Sequence, residues 1–150
     1  MNTNIIKTWT ITITESEVLA RCTNESLYQA YVRADANTKG DAMAIQEDDM
    51  DVFRLYYGNA LAELQMLLAR RMEEMPVHTN LSCEFTLQMH HNHDNNILPV
   101  LINHCYGFVV KRVLEQWYHI DFGAELEKLE ITHCLHYRKH PVRRTIGPLF

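Results

Sequence analysis

Residues 96–120 read NILPVLINHCYGFVVKRVLEQWYHI. Apolar side chains at Leu98, Leu101, Ile102, Cys105, Phe108, Val109, Val113 and Trp117 recur close to helical spacing. A second stripe at Val100, Val110, Leu114 and Tyr118 widens the apolar surface beyond one face, which marks a helix packed on several sides. Asn96 is the predicted N-cap, and Pro99 is tolerated in a first turn. Gly107 costs about 1 kcal/mol against Ala in a helix interior, so it is expected to let another backbone approach closely. Asn103, His104, Lys111 and Arg112 interrupt the run before it reaches membrane-spanning length. The chain is therefore expected to be organised around a core helix, without membrane contact.

Upstream of this helix, Leu81, Cys83, Phe85, Leu87 and Met89 alternate with Ser82, Glu84, Thr86 and Gln88, a half-buried strand pattern. Ile5 to Ile13 alternates Trp9, Ile11 and Ile13 with threonines and predicts a second strand. Thr14 and Glu17 have the spacing of a capping box, so a helix should follow with Val18, Leu19, Cys22, Leu27 and Tyr31 inward. Thr23–Ser26 could re-cap it into two short helices. Ala34–Asp41 reads as a loop. A long helix is predicted from Asp41 or Asp48 to Glu74, with Val52, Phe53, Tyr56, Ala60, Leu64, Leu67 and Leu68 inward. Its acids lie near the start and Arg70 and Arg71 near the end, as the helix dipole prefers. A last helix over Ala124–Lys139 carries Leu126, Leu129, Cys134 and Tyr137, and Pro141 and Pro148 keep the remaining tail extended.

This order is α+β and mainly α: a bundle of about four helices, two isolated strands and an extended C-terminal arm. Residues 1–140 form one domain and residues 141–150 the arm. Two strands make a marginal sheet, so they either pair with each other across the helices or find partners on neighbouring copies.

At 150 residues the chain suits one domain with a sizeable core, and no Pro/Gly/Ser-rich linker divides it. The first residues, MNTNIIKTW, lack the features of a signal peptide, so the four cysteines are expected as reduced, packed thiols. Residues 1–130 hold nineteen acids against ten Lys and Arg, a formal −9, whereas residues 131–150 hold four basic residues and no acid, a formal +4. The body is acidic and the tail basic.

Chemistry-bearing clusters are sparse. His90, His91, His93 and Asp94 crowd into five residues, and imidazole with carboxylate binds zinc or nickel. They sit on a polar connector rather than on separated rigid elements, so a solvated turn without a required metal is the expectation. His133, His136 and His140 fall on one side of the last helix without a completing motif, and a polar or subunit-facing stripe is expected. In His104–Cys105 and His133–Cys134 adjacent residues point about 100° apart, so neither makes a Cys–His nucleophile. Glu47–Asp51 lacks the spacing of a calcium loop and reads as helix-start charge. No enzyme, metal or cofactor is expected.

The basic tail couples Arg138, Lys139, Arg143 and Arg144 to the apolar residues Ile146, Leu149 and Phe150. A basic, proline-stiffened arm on an acidic body suits head-to-tail packing of copies, which closes into rings. Ser16–Arg21 (SEVLAR), Asp51–Leu64 (DVFRLYYGNALAEL) and Ile97–Trp117 (ILPVL…VVKRVLEQW) resemble segments of prophage proteins of gut Bacteroidetes. The layout resembles the small neck proteins of tailed bacteriophages, the head-to-tail connectors or adaptors that form rings beneath the portal. That resemblance implies a non-catalytic homo-oligomer in the virion neck, made in the bacterial host cytoplasm. It would contact portal, tail or neck proteins, and DNA would pass without specific binding. The alternative is a small histidine-rich metal-binding or regulatory protein.

Overall fold

The computed structural model describes residues 6–33 and 49–137, with the side chains of residues 27 and 29–33 left aside. Strand β1 (Ile6–Thr14) runs into helix α1 (Glu15–Arg33). Helix α2 (Met50–Leu68) continues as a 3-10 turn, Ala69–Arg71. Strands β2 (Val77–His78) and β3 (Ser82–His90) follow, then helices α3 (Ile97–Tyr118) and α4 (Ala124–His136). The protein is α+β and mainly α, as its periodicities predict.

The two predicted strands do pair with each other, antiparallel, with Trp9 opposite Leu87, Ile11 opposite Phe85 and Ile13 opposite Cys83. These six side chains form the buried row. The opposite row of Thr8, Thr10, Thr12, Glu84, Thr86 and Gln88 faces outward, the half-buried antiparallel arrangement that alternation encodes. β3 is central, because the two-residue strand β2 pairs along its other edge. A strand that short carries no alternation, so the pattern could not announce it.

α3 lies against β1, α1, α2 and α4. Leu101, Cys105, Phe108, Val109, Val113 and Leu114 are completely buried. Large apolar side chains buried to this degree stabilise by about 1.5–3 kcal/mol each. Trp117 is only half-buried and meets the edge of Tyr56, with ring centroids 6.3 Å apart. By length and mean hydropathy alone α3 could cross a bilayer, so its polar residues do not shorten it as expected. Its neighbours on several sides are those of a core helix.

Several local expectations are corrected. The Thr14 capping box does not form: Tyr106 Oη accepts from Thr14 N at 3.0 Å and donates to Thr12 O at 3.1 Å, while Glu17 pairs with Arg21 at 2.7 Å. A tyrosine from α3 thus pins the β1–α1 corner. α1 is not broken at Thr23–Ser26; the Ser26 hydroxyl does not cap a new helix but donates back to Thr23 O at 3.0 Å within the same one. Asn96 is helical and makes no side-chain cap. Asp94 serves instead, its carboxylate accepting from Asn96 N and its carbonyl from Ile97 N, both at 2.9 Å.

The long helix starts at Met50 and ends before Glu74, as the backbone becomes extended at Met72; the Asp41 start lies outside the described residues. Val52 points outward, and Tyr57 and Leu61 take buried positions on the inward face. In α4 the predicted Cys134 is buried, but the predicted Leu126, Leu129 and Tyr137 are exposed, and Ala124, Ile131 and Leu135 face the core instead. The last helix closes at His136 rather than Lys139.

Gly107 admits a side chain rather than a backbone. A Cβ built there would lie 3.1 Å from Glu127 Cδ. Glu127 reaches from α4 to take His104 Nδ1 at 2.7 Å and Lys111 Nζ at 2.8 Å, one on each oxygen. Burial pushes its pKa up, but the Lys111 and His104 hydrogen bonds outweigh that and hold it below its ordinary value of 4.5. Both oxygens are tethered, so the carboxylate has no room to retreat. Gly107→Ala should therefore destabilise, despite the gain of about 1 kcal/mol that helix propensity alone would give. In a Glu127→Ala background the same substitution should stabilise. Denaturant unfolding of the four proteins measures this coupling, and additive effects would mean that the contact is loose.

Candidate functional site

Of the nine histidines, the one that organises its surroundings is His93. It is 1% exposed, which corrects the expectation that its loop is a solvated turn. Its Nδ1 lies 3.1 Å from His90 O and its Nε2 2.9 Å from Leu135 O. A neutral imidazole has one N–H and can donate to only one of these carbonyls; an imidazolium donates to both. Lys7 Nζ donates to His93 O, Trp9 Nε1 donates to Asn95 Oδ1 at 3.2 Å, and the Trp9 ring meets His93 edge-on. Asn92 N donates to His90 Nδ1 at 3.1 Å. The loop is bound to the end of the sheet through both its side chains and its backbone.

Leu135 O also accepts from Arg71 Nη2 at 2.8 Å. This carbonyl lies in the last turn of α4, where helix C-termini lack intrahelical donors. The end of α4 is therefore held from two directions, by the β3–α3 loop and by the 3-10 turn after α2. Sequence spacing gave no hint of this junction, since its three residues are far apart in the chain. Between α2 and α4 a groove of about 510 Å³ is lined by Met66, Leu67, Arg70, Arg71, Thr132, Leu135 and His136.

Among the described residues, the other predicted clusters form no grouped site. His91 is exposed and lies beside His90, with ring centroids 4.4 Å apart. His133 and His136 are exposed, and His136 Nδ1 contacts Thr132 O at 2.8 Å. Among the described residues no three His, Cys, Asp or Glu side chains are grouped to hold a metal ion. His104 faces Glu127 rather than its neighbour Cys105, whose thiol burial pushes far above the ordinary range. Of the acidic cluster, Asp51 is exposed at the start of α2 and Glu47 and Asp48 lie outside the described residues. So do His140 and the arm residues Arg138, Lys139, Arg143, Arg144, Ile146, Leu149 and Phe150.

One Cys–His pair escapes the sequence: His78 Nε2 is 3.9 Å from Cys83 Sγ across β2 and β3. A groove of about 460 Å³ lies beside it, lined by Tyr57, Gly58, Leu61 and Ala62 among others. An activated thiol has a lowered pKa, whereas burial raises Cys83 to about 11. The pair is not poised as a nucleophile.

No protein-family model matches the chain, and no curated protein or solved structure matches it either.

The buried imidazole should matter where the exposed one does not. His93→Phe removes the ring's contacts to two carbonyls and should cost about 1–3 kcal/mol. His91→Ala should stay within about 0.5 kcal/mol of the parent. Denaturant midpoints compare them, and equal effects would mean that the loop is held by its backbone alone.

Proposed function

We propose that this protein is a non-catalytic structural protein of a tailed-phage virion, a ring-forming head-to-tail connector in the neck. Copies of the chain would join one another, and the ring would meet portal, tail or neck proteins while DNA passes without specific binding. The reading begins from the resemblance of the chain's layout to neck proteins, with three helical segments that resemble segments of prophage proteins.

The observation that carries it is the anchoring of α4 immediately before the basic segment. Leu135 O is held by both His93 and Arg71, and Tyr137 N donates to His133 O at 2.9 Å. Arg138 thus follows a helix end that is fixed to the body from two sides. A fixed root supports an arm that reaches a set position on a neighbour, because less orientational freedom is lost on docking. The basic residues would speed encounter with an acidic neighbour, and Ile146, Leu149 and Phe150 would slow release.

Deleting residues 141–150 should leave a folded subunit, by circular dichroism, that no longer forms rings by native mass measurement. Reversing charge at Arg143 and Arg144 should weaken assembly more at low salt than at high salt, because screening removes the attraction being reversed. Normal assembly of the truncated protein would refute the arm, and failure to fold would assign the tail to the core.

A further inference from the structure

α2 carries two opposite stripes. Phe53, Tyr57, Ala60, Leu61, Leu64 and Leu68 enter the core. On the other side Val52, Leu55, Asn59, Ala62, Met66 and Ala69 are all exposed. Their spacing alternates three and four residues without a break, the a/d pattern of a coiled-coil seam. Exposure reaches 41% at Val52, 60% at Leu55 and 78% at Met66. Three large apolar side chains, Val52, Leu55 and Met66, joined at that spacing by Ala62 and Ala69 along a solvent face, suit a helix that packs on another helix.

We propose that this seam docks a second copy of the same chain, with the two α2 helices antiparallel about a twofold axis. The seam is its own complement in that direction. Val52 meets Ala69 and Leu55 meets Met66, so a large side chain faces a small or flexible one at each outer layer. Asn59 meets the small Ala62 beside the axis, where its amide can stay bonded within its own copy. Asn59 is itself oriented by Gln116, to which its Nδ2 donates at 3.1 Å.

Charge selects the orientation and the partner. Asp51 lies in the first turn of α2, and Arg70 lies in the 3-10 turn that ends it. Antiparallel packing brings the Asp51 end of each copy to the Arg70 end of the other and opposes the helix dipoles, whereas parallel packing sets like ends together. Glu63 flanks the axis on both copies, and each is accompanied by its own Arg112. Arg112 Nε lies 3.1 Å from Glu63 Oε2, an ion-pair distance without hydrogen-bond geometry. Isologous contacts of this kind are the commonest between identical chains.

The contact uses residues 51–70 alone, so it is separable from the arm and from the adaptor reading. The test mixes chains carrying Leu55→Cys with chains carrying Met66→Cys under mild oxidation. The four native cysteines are buried, and the parent protein serves as control. A cross-link between residues 55 and 66 should form in the mixture, while neither variant should link to itself. Removing residues 141–150 should leave that cross-link in place, which separates it from arm-mediated assembly. Met66→Glu should abolish the dimer in sedimentation while keeping the circular dichroism of the parent. A link of residue 55 to itself, an unchanged mass for Met66→Glu, or a monomer without the mixed cross-link would each overturn the proposal. The last result would mean that the seam is covered by another segment of the same chain or by a different partner.

Discussion

The burial of α3 from several directions is the constraint on which the other elements depend. Its completely buried residues sit between the sheet and three helices. Each neighbour is also tied to it by a polar bond at its edge. Tyr106 holds the corner where β1 becomes α1, and Gln116 donates to Tyr56 O on α2 at 3.4 Å. Glu115 Oε2 accepts from Phe122 N and Ala124 N, so a side chain of α3 caps the start of α4. Apolar burial supplies the driving force, and these bonds set the angles at which the neighbours arrive. The left-handed backbone at His119 and Gly123 then returns the chain for α4 to pack back on α3.

The same economy appears in how ionisable groups are used. Arg112 gathers Glu63, Glu115 and Glu125, and Glu127 gathers His104 and Lys111. Burial raises the thiols of Cys22, Cys83, Cys105 and Cys134, the opposite of what reactive cysteines require. Among the described residues, His93, His104, Glu115 and Glu127 serve at joints between elements. Apolar side chains, in contrast, are left outward on α2 and α4.

What the sequence made legible is what depends on period. Alternation located β1 and β3 to within a residue, because one row of each had to be apolar and the other polar. The helical period located α3 for the same reason. Period alone did not say which face of an apolar-rich helix turns inward. In α4 the exposed Leu126 and Leu129 were as plausible as Ile131 and Leu135, and only the packing on α3 decides between them. In α2 the core stripe and the outer stripe overlap in the sequence, so period alone places Val52 inward and leaves Tyr57 out. The His93–Leu135–Arg71 junction was invisible, since a backbone carbonyl at its centre leaves no mark in the side-chain pattern.

Native-state hydrogen exchange on the full chain tests the central role of α3 most directly. If α3 is the element on which the others rest, its amides from Leu101 to Leu114 exchange only through global unfolding. Their opening free energy then equals the unfolding free energy from denaturant titration, with central β3 amides close behind and those of α4 opening earlier. Exchange of the α3 amides through a smaller, local opening, while α2 or α4 stays protected, would contradict the account.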